Sequence, residues 1–166
     1  MTKIIIKNAR LSFPSLFQKA IFKGKESKYE ATFLIDKKDE TLIKQLNEAS
    51  TKLMKDTNIK IPREKHCIKD GDESDLDGYA GCFSLKASSS KRPTVIDRDK
   101  TPLTADDEKL YAGCYVNAVV DFWIQNNVYG KRLNANLYGV QFVKDGDPFG
   151  MGYVDVTNDF EDLDEL

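Results

Sequence analysis

Two neighbouring segments in the C-terminal half hold the residues with the most chemistry to offer. Tyr115, Asn117, Val119, Asp121, Trp123 and Gln125 occupy the odd positions of the first. Arg132, Asn134, Asn136 and Tyr138 fall on alternate positions of the second. Aromatic rings stack on flat bases, an arginine pairs with a phosphate, and amides hydrogen-bond without fixing a sequence. The same residue types also serve as ordinary cross-strand pairs, or lie beneath a loop or helix. The pattern alone leaves both readings open.

Catalytic chemistry finds less support. His66 is the single histidine, and no G-x-S-x-G, Walker loop or H-E-x-x-H is present. The stretch Asp70-Gly71-Asp72-Glu73-Ser74-Asp75-Leu76-Asp77 invites a calcium reading. An EF-hand loop needs glycine at its sixth place and glutamate at its twelfth; here those are Asp75 and Gly81. Cys67, Cys82 and Cys114 are widely spaced, with neither C-x-x-C nor H-x₃₋₅-H, so no zinc site is indicated. The odd cysteine count argues against a disulfide framework and for a reducing compartment. No metal or cofactor is expected, and the chain is not expected to be an enzyme. A metal-dependent nuclease using carboxylates such as Asp106 and Asp107 stays as an alternative.

These side chains need a scaffold. In Cys114–Gln125 the even positions Cys114, Val116, Ala118, Val120, Phe122 and Ile124 are apolar or small, the signature of a strand with one buried face. Arg132–Val143 turns Leu133, Ala135, Leu137 and Gly139 to the same core. The join, residues 126–131, contains the Asn and Gly that turns need. Upstream, residues 3–13 predict a strand ended by Pro14, and residues 28–36 a second, with Tyr29, Ala31, Phe33 and Ile35 on one side. The period then changes: Leu42, Ile43, Leu46, Ala49, Leu53 and Met54 predict a helix over about 39–56. Residues 58–80 read as irregular. Gly81–Ser88 predicts a strand with Phe83, Leu85 and Ala87 inward. Thr94–Arg98 predicts a short return strand, and 99–112 a loop with a helical turn at Asp106–Tyr111. Five or six strands and one helix after the second strand suggest an all-β, OB-fold-like barrel.

Charge divides the chain in two. Residues 155–166 carry six acids and no base, whereas residues 1–154 carry a net charge of +4. A folded domain over 1–154 with an acidic, disordered tail over 155–166 is therefore expected. Within the body, Lys86, Lys91 and Arg92 belong to a basic stretch over 86–100 with Tyr79, Phe83 and Tyr111 within or near it, which suits a groove tracking a phosphate backbone and a solvated hairpin tip equally. No apolar run approaches the ~18 residues of a membrane span.

Several segments resemble the single-stranded DNA-binding proteins of tailed phages. They are Ile6–Pro14, Ala112–Ala118, Trp123, Tyr129–Ala135 and Gly139–Gly146. The resemblance implies an OB fold and sequence-independent binding of single-stranded DNA. It implies a role in phage replication, recombination or repair in the cytoplasm of the bacterial host. It also implies that the tail residues Asp159, Phe160, Glu161, Asp162, Leu163, Asp164, Glu165 and Leu166 bind replication or recombination proteins and compete with DNA. Comparable tails often end in an aromatic residue; this one ends in Leu166. The expected DNA-binding residues are Tyr79, Lys86, Lys91, Arg92, Tyr111, Tyr115, Asn117, Trp123, Tyr129, Lys131, Arg132, Asn134, Asn136 and Tyr138. The second alternative is a protein-interaction module without DNA affinity. Self-association as a homo-oligomer is left open.

Overall fold

The computed structural model describes residues 3–149 and 157–165. The order is β1 (Ile4–Ser15), β2 (Ile21–Phe22), β3 (Lys25–Glu26), β4 (Tyr29–Asp36), α1 (Glu40–Thr57), β5 (Ile68–Asp70), β6 (Cys82–Ser89), β7 (Thr94–Ile96), β8 (Tyr115–Asn127) and β9 (Gly130–Lys144). Strands β6, β4, β1, β8 and β9 pair antiparallel in that order. Ser88 on β6 meets Asn136 on β9 in parallel and closes the ring. The result is the expected five-stranded, OB-type barrel, with its helix after the second barrel strand. The small hairpin β2–β3 stands apart as a separate two-stranded ribbon.

The barrel core follows the alternation, with interruptions that the pairing explains. In β1, Ile4 and Ile6 are buried, but so are Ala9 and Leu11. The switch from even to odd occurs where the register with β8 shifts between Ile6 and Ala9. Asn8 takes φ +57° there, and its N–H donates to Asn117 Oδ1 at 3.0 Å. A bulge adds a residue and so turns the following side chains to the other face. A second shift, between Ser12 and Ser15, carries β1 past Pro14, beyond its expected end.

In β9 the apolar face runs through Leu133, Ala135 and Leu137, then jumps to Val140 and Phe142. Val119 pairs with Gly139 while Val120 pairs with Leu137, so Tyr138 is the extra residue. This corrects the expectation that Gly139 faces the core. It packs instead under Thr94 of β7, whose carbonyl oxygen would lie 3.2 Å from an added Cβ.

The helix is built as its sequence reads. Asp39 caps it, accepting from the Leu42 N–H at 3.2 Å, and Leu42 and Leu46 join the barrel core. Three further expectations are corrected. β7 does not return along β6; it pairs parallel with β9 (Thr94↔Gly139, Ile96↔Gln141). The irregular stretch 58–80 contains β5, which adds to the outer side of β6. The helical turn in the 99–112 loop is a 3₁₀ turn at Ala105–Asp107, within a Thr104–Asp107 capping box. The β8–β9 reversal is also tighter than residues 126–131. Asn127 pairs with Gly130, which has φ +114°, leaving Val128 and Tyr129 at the tip.

Candidate nucleic-acid interface

One concavity among the predicted residues is a groove of about 450 Å³. Its floor comes from the outer faces of β4 and β6, through Thr32, Ser84, Lys86 and Ser88. One wall is the β8–β9 hairpin, giving Trp123, Gln125, Arg132 and Asn134. The other runs from Glu64 through β5, giving Lys65, His66, Cys67 and Lys69, with Lys28 just before β4. Five cations (Lys28, Lys65, Lys69, Lys86 and Arg132) therefore face one carboxylate, Glu64. Beside them is a half-buried indole on the strand pair that opens the groove. Trp123 lies directly opposite Asn134, whose amide donates to Gln125 Oε1 at 3.1 Å. Lys86 also has a carboxylate neighbour beyond the groove lining, Glu30 Oε2 at 2.9 Å.

The acidic loop after β5 supports this wall. Lys37 Nζ donates to Asp70 Oδ1 at 2.7 Å and Asp72 Oδ2 at 2.6 Å, and the Gly81 N–H donates to Asp72 Oδ1 at 2.7 Å. Hydrogen bonds from Lys37 and the backbone hold both carboxyls below their ordinary range, and the two carboxylates raise Lys37. The loop that invited a calcium reading is thus folded around an internal ammonium. It presents Tyr79, which lines the groove but is 6 % exposed, with its hydroxyl 2.9 Å from that of Ser12. Cys67 sits in the wall as a thiol, which burial pushes up to about 12. The His66 ring donates from Nε2 to the Ile61 carbonyl at 3.0 Å.

The structure gathers part of the predicted set and disperses the rest. Tyr79, Lys86, Trp123, Arg132 and Asn134 share the groove. Tyr129 and Lys131 lie at or beside the exposed hairpin tip, and Lys91 and Arg92 lie on the turn after β6. Asn117 and Tyr138 line a second concavity bounded by β1, β7, β8 and β9. Asp121, expected on the wet face, is 2 % exposed. It accepts from Asn136 Nδ2 and the Tyr138 hydroxyl, each at 3.0 Å, which binds that row into the fold. Burial and this carboxylate raise the Tyr138 phenol. Tyr115 lies under Arg10 and Lys144, with Arg10 Cζ 5.6 Å and Lys144 Nζ 4.8 Å from its ring. The Tyr111 hydroxyl donates to Asp145 and accepts from the Gly146 N–H, clamping the end of β9.

Lys28, Lys65 and Lys69 were not singled out from the sequence. Lys28 opens the predicted 28–36 strand, whereas Lys65 and Lys69 lie in a polar stretch with no period and reach the barrel through the His66↔Leu133 bridge to β9 and the pairing of β5 with β6. The described part of the tail, residues 157–165, forms 3₁₀ turns at Thr157–Asp159 and Leu163–Glu165, with Phe160 and Leu163 exposed. The expected boundary at 154/155 and Leu166 lie outside the described residues. Among the described residues no helix is long and apolar enough to cross a membrane.

Comparison with known proteins agrees with the fold. The family described as "Enterobacter phage Enc34, ssDNA-binding protein" matches residues 2–166. Putative protein p50 of Acyrthosiphon pisum secondary endosymbiont phage 1 is 41% identical, over 97% of this chain and 94% of that protein. Among solved structures, the single-stranded DNA-binding protein of bacteriophage Enc34 in complex with ssDNA superposes with a TM-score of 0.81 at 34% identity, covering 89% of each chain. The gp2.5 single-stranded DNA-binding protein of bacteriophage T7 superposes with a TM-score of 0.57 over 98% of each chain; at 11% identity this shows the fold alone. The family is described by binding rather than by a reaction. With a match along almost the whole chain and relatives at this level of identity, the chain belongs to the family of the Enterobacter phage Enc34 ssDNA-binding protein.

Proposed function

We propose that this chain binds single-stranded DNA without sequence preference, in the groove between β4, β5, β6 and the β8–β9 hairpin, during phage replication, recombination or repair. The observation that carries this reading is the groove's composition: five cations against one carboxylate, beside an indole and paired amides. Trp123 stacks a base, a contact of ~1–3 kcal/mol. Lys28, Lys65, Lys69, Lys86 and Arg132 neutralise phosphates, while Gln125 and Asn134 supply hydrogen bonds common to all sequences. Tyr129 and Lys131 at the tip, and Lys91 and Arg92 on the turn, extend the contact beyond the groove.

The acidic segment from 155 is a tail that competes with DNA for these cations and presents Phe160 and Leu163 to replication or recombination proteins. Its charge suits the first role, and the exposure of both apolar side chains suits the second. The test is a titration of Trp123 fluorescence with a thymidine oligonucleotide at two salt concentrations, on the full chain and on a chain ending at Val154. Salt-sensitive quenching that tightens on truncation is expected. Equal affinity of the two chains refutes competition by the tail, and the absence of binding by either refutes the groove.

A further inference from the structure

Phe13 is placed against the expectation of its own strand. Leu11 is buried opposite Phe33, so alternation would send Phe13 into the core as well. Instead, the register shifts between Ser12 and Ser15, the backbone at Phe13 is left-handed with φ +46°, and the ring is 62 % exposed. A bulky side chain disfavours that conformation, and the following Pro14 disfavours it further by pushing its predecessor toward extended backbone. The ring thus forgoes burial and the backbone carries strain, a combination that concentrates at binding sites.

The register shows which site. Ser12 pairs with Thr32 and Ser15 with Glu30; on β6 the same β4 residues pair with Lys86 and Ser88. Thr32, Lys86 and Ser88 line the groove. Phe13 therefore stands on the strand next to the groove floor, roughly two strand spacings, about 10 Å, from Lys86. A cation lies beside the same segment: the Arg92 guanidinium is 5.6 Å from the ring of Phe17.

We propose that Phe13 is a second base-stacking platform, continuing the groove from Trp123 across Lys86 toward the end of β1. This rests on the single-stranded DNA reading above. A base takes the place of the core as the ring's apolar partner.

The test compares Phe13→Ala, Phe13→Gly and Phe13→Trp with the parent chain. Affinity for a thymidine oligonucleotide of about 20 nucleotides is read by fluorescence anisotropy, alongside melting temperature and sedimentation. Alanine and glycine weaken binding roughly 5- to 150-fold without changing its salt slope, while tryptophan retains it. The glycine variant melts no lower than the parent, because glycine accepts positive φ without strain. Weaker binding by a fold that is no less stable separates stacking from a structural role. If the alanine and glycine variants bind as tightly as a DNA-binding parent, the proposal falls and the groove stands. If they alter self-association and not DNA affinity, Phe13 is a contact between copies and the proposal is overturned. If the parent itself binds no oligonucleotide, both readings fall together.

Discussion

The cations of the groove set the salt dependence of any polyanion held there. Each phosphate neutralised on a single strand contributes about −0.7 to the slope of log affinity against log salt. If Lys28, Lys65, Lys69, Lys86 and Arg132 each take one phosphate, the slope is about −3.5, which weakens binding roughly 130-fold between ~50 and ~200 mM salt. Replacing Lys69 and Arg132 together by alanine lowers the slope to about −2.1 and the loss to roughly 20-fold. Lys86 adds a second check, because Glu30 Oε2 at 2.9 Å competes for it. Lys86 is exposed and Glu30 half-buried, so the pair is worth ~0–1 kcal/mol and Glu30→Gln tightens binding by up to about fivefold at low salt. Anisotropy titrations of a labelled oligonucleotide across a salt series read all three. A parent slope shallower than about −1, or an unchanged slope in the double variant, refutes phosphate neutralisation by this groove.

Trp123→Ala should weaken oligonucleotide binding roughly 5- to 150-fold with the salt slope unchanged, since it removes a stack and no charge; a change in slope with little loss at low salt would contradict that role. Leu133, fully buried, should cost about 2–5 kcal/mol when cut to alanine, read as a shifted urea midpoint. Asp70 and Asp72 are held below their ordinary carboxyl range by Lys37 and the backbone, so their contribution is complete above the unfolded carboxyl pKa and is lost as pH falls through the depressed folded values. Asp70→Asn with Asp72→Asn should therefore lower the melting temperature near neutrality and flatten its fall toward acid; parallel pH curves would remove the clamp. With its pKa pushed up to about 12, Cys67 should resist alkylation by iodoacetamide at pH 8 in the folded chain and react once denaturant is added.

The barrel was legible where alternation was strong. The first halves of β8 and β9 read correctly because each buries alternate side chains. The bulges escaped notice because a single extra residue reverses every later side chain while leaving composition untouched: Asn8 shifts Ala9 and Leu11 inward, and Tyr138 moves Gly139 out and Val140 in. Asp121 carries a wet-face residue type yet is buried, since Asn136 and Tyr138 satisfy its oxygens, and cross-strand partners are invisible in one dimension. β7 suggested a hairpin by proximity but found β9, a pairing set by barrel closure. The site was half legible for the same reason. Trp123, Arg132 and Asn134 announced themselves on a periodic strand, whereas Lys28, Lys65 and Lys69 become groove residues only through topology.

On the proposed function, single-stranded DNA lies in the groove and not on the β1–β7–β8–β9 face that carries Asn117 and Tyr138. Amide chemical-shift mapping of the 18.8 kDa chain with a thymidine oligonucleotide tests it directly. Shifts are expected at Lys28, Thr32, Lys65–Lys69, Ser84–Ser88, Gln125 and Arg132–Asn134, with the Trp123 indole N–H among the largest. Shifts concentrated at Asn117, Tyr138, Gly139 and Gln141, with the groove residues unmoved, would contradict it.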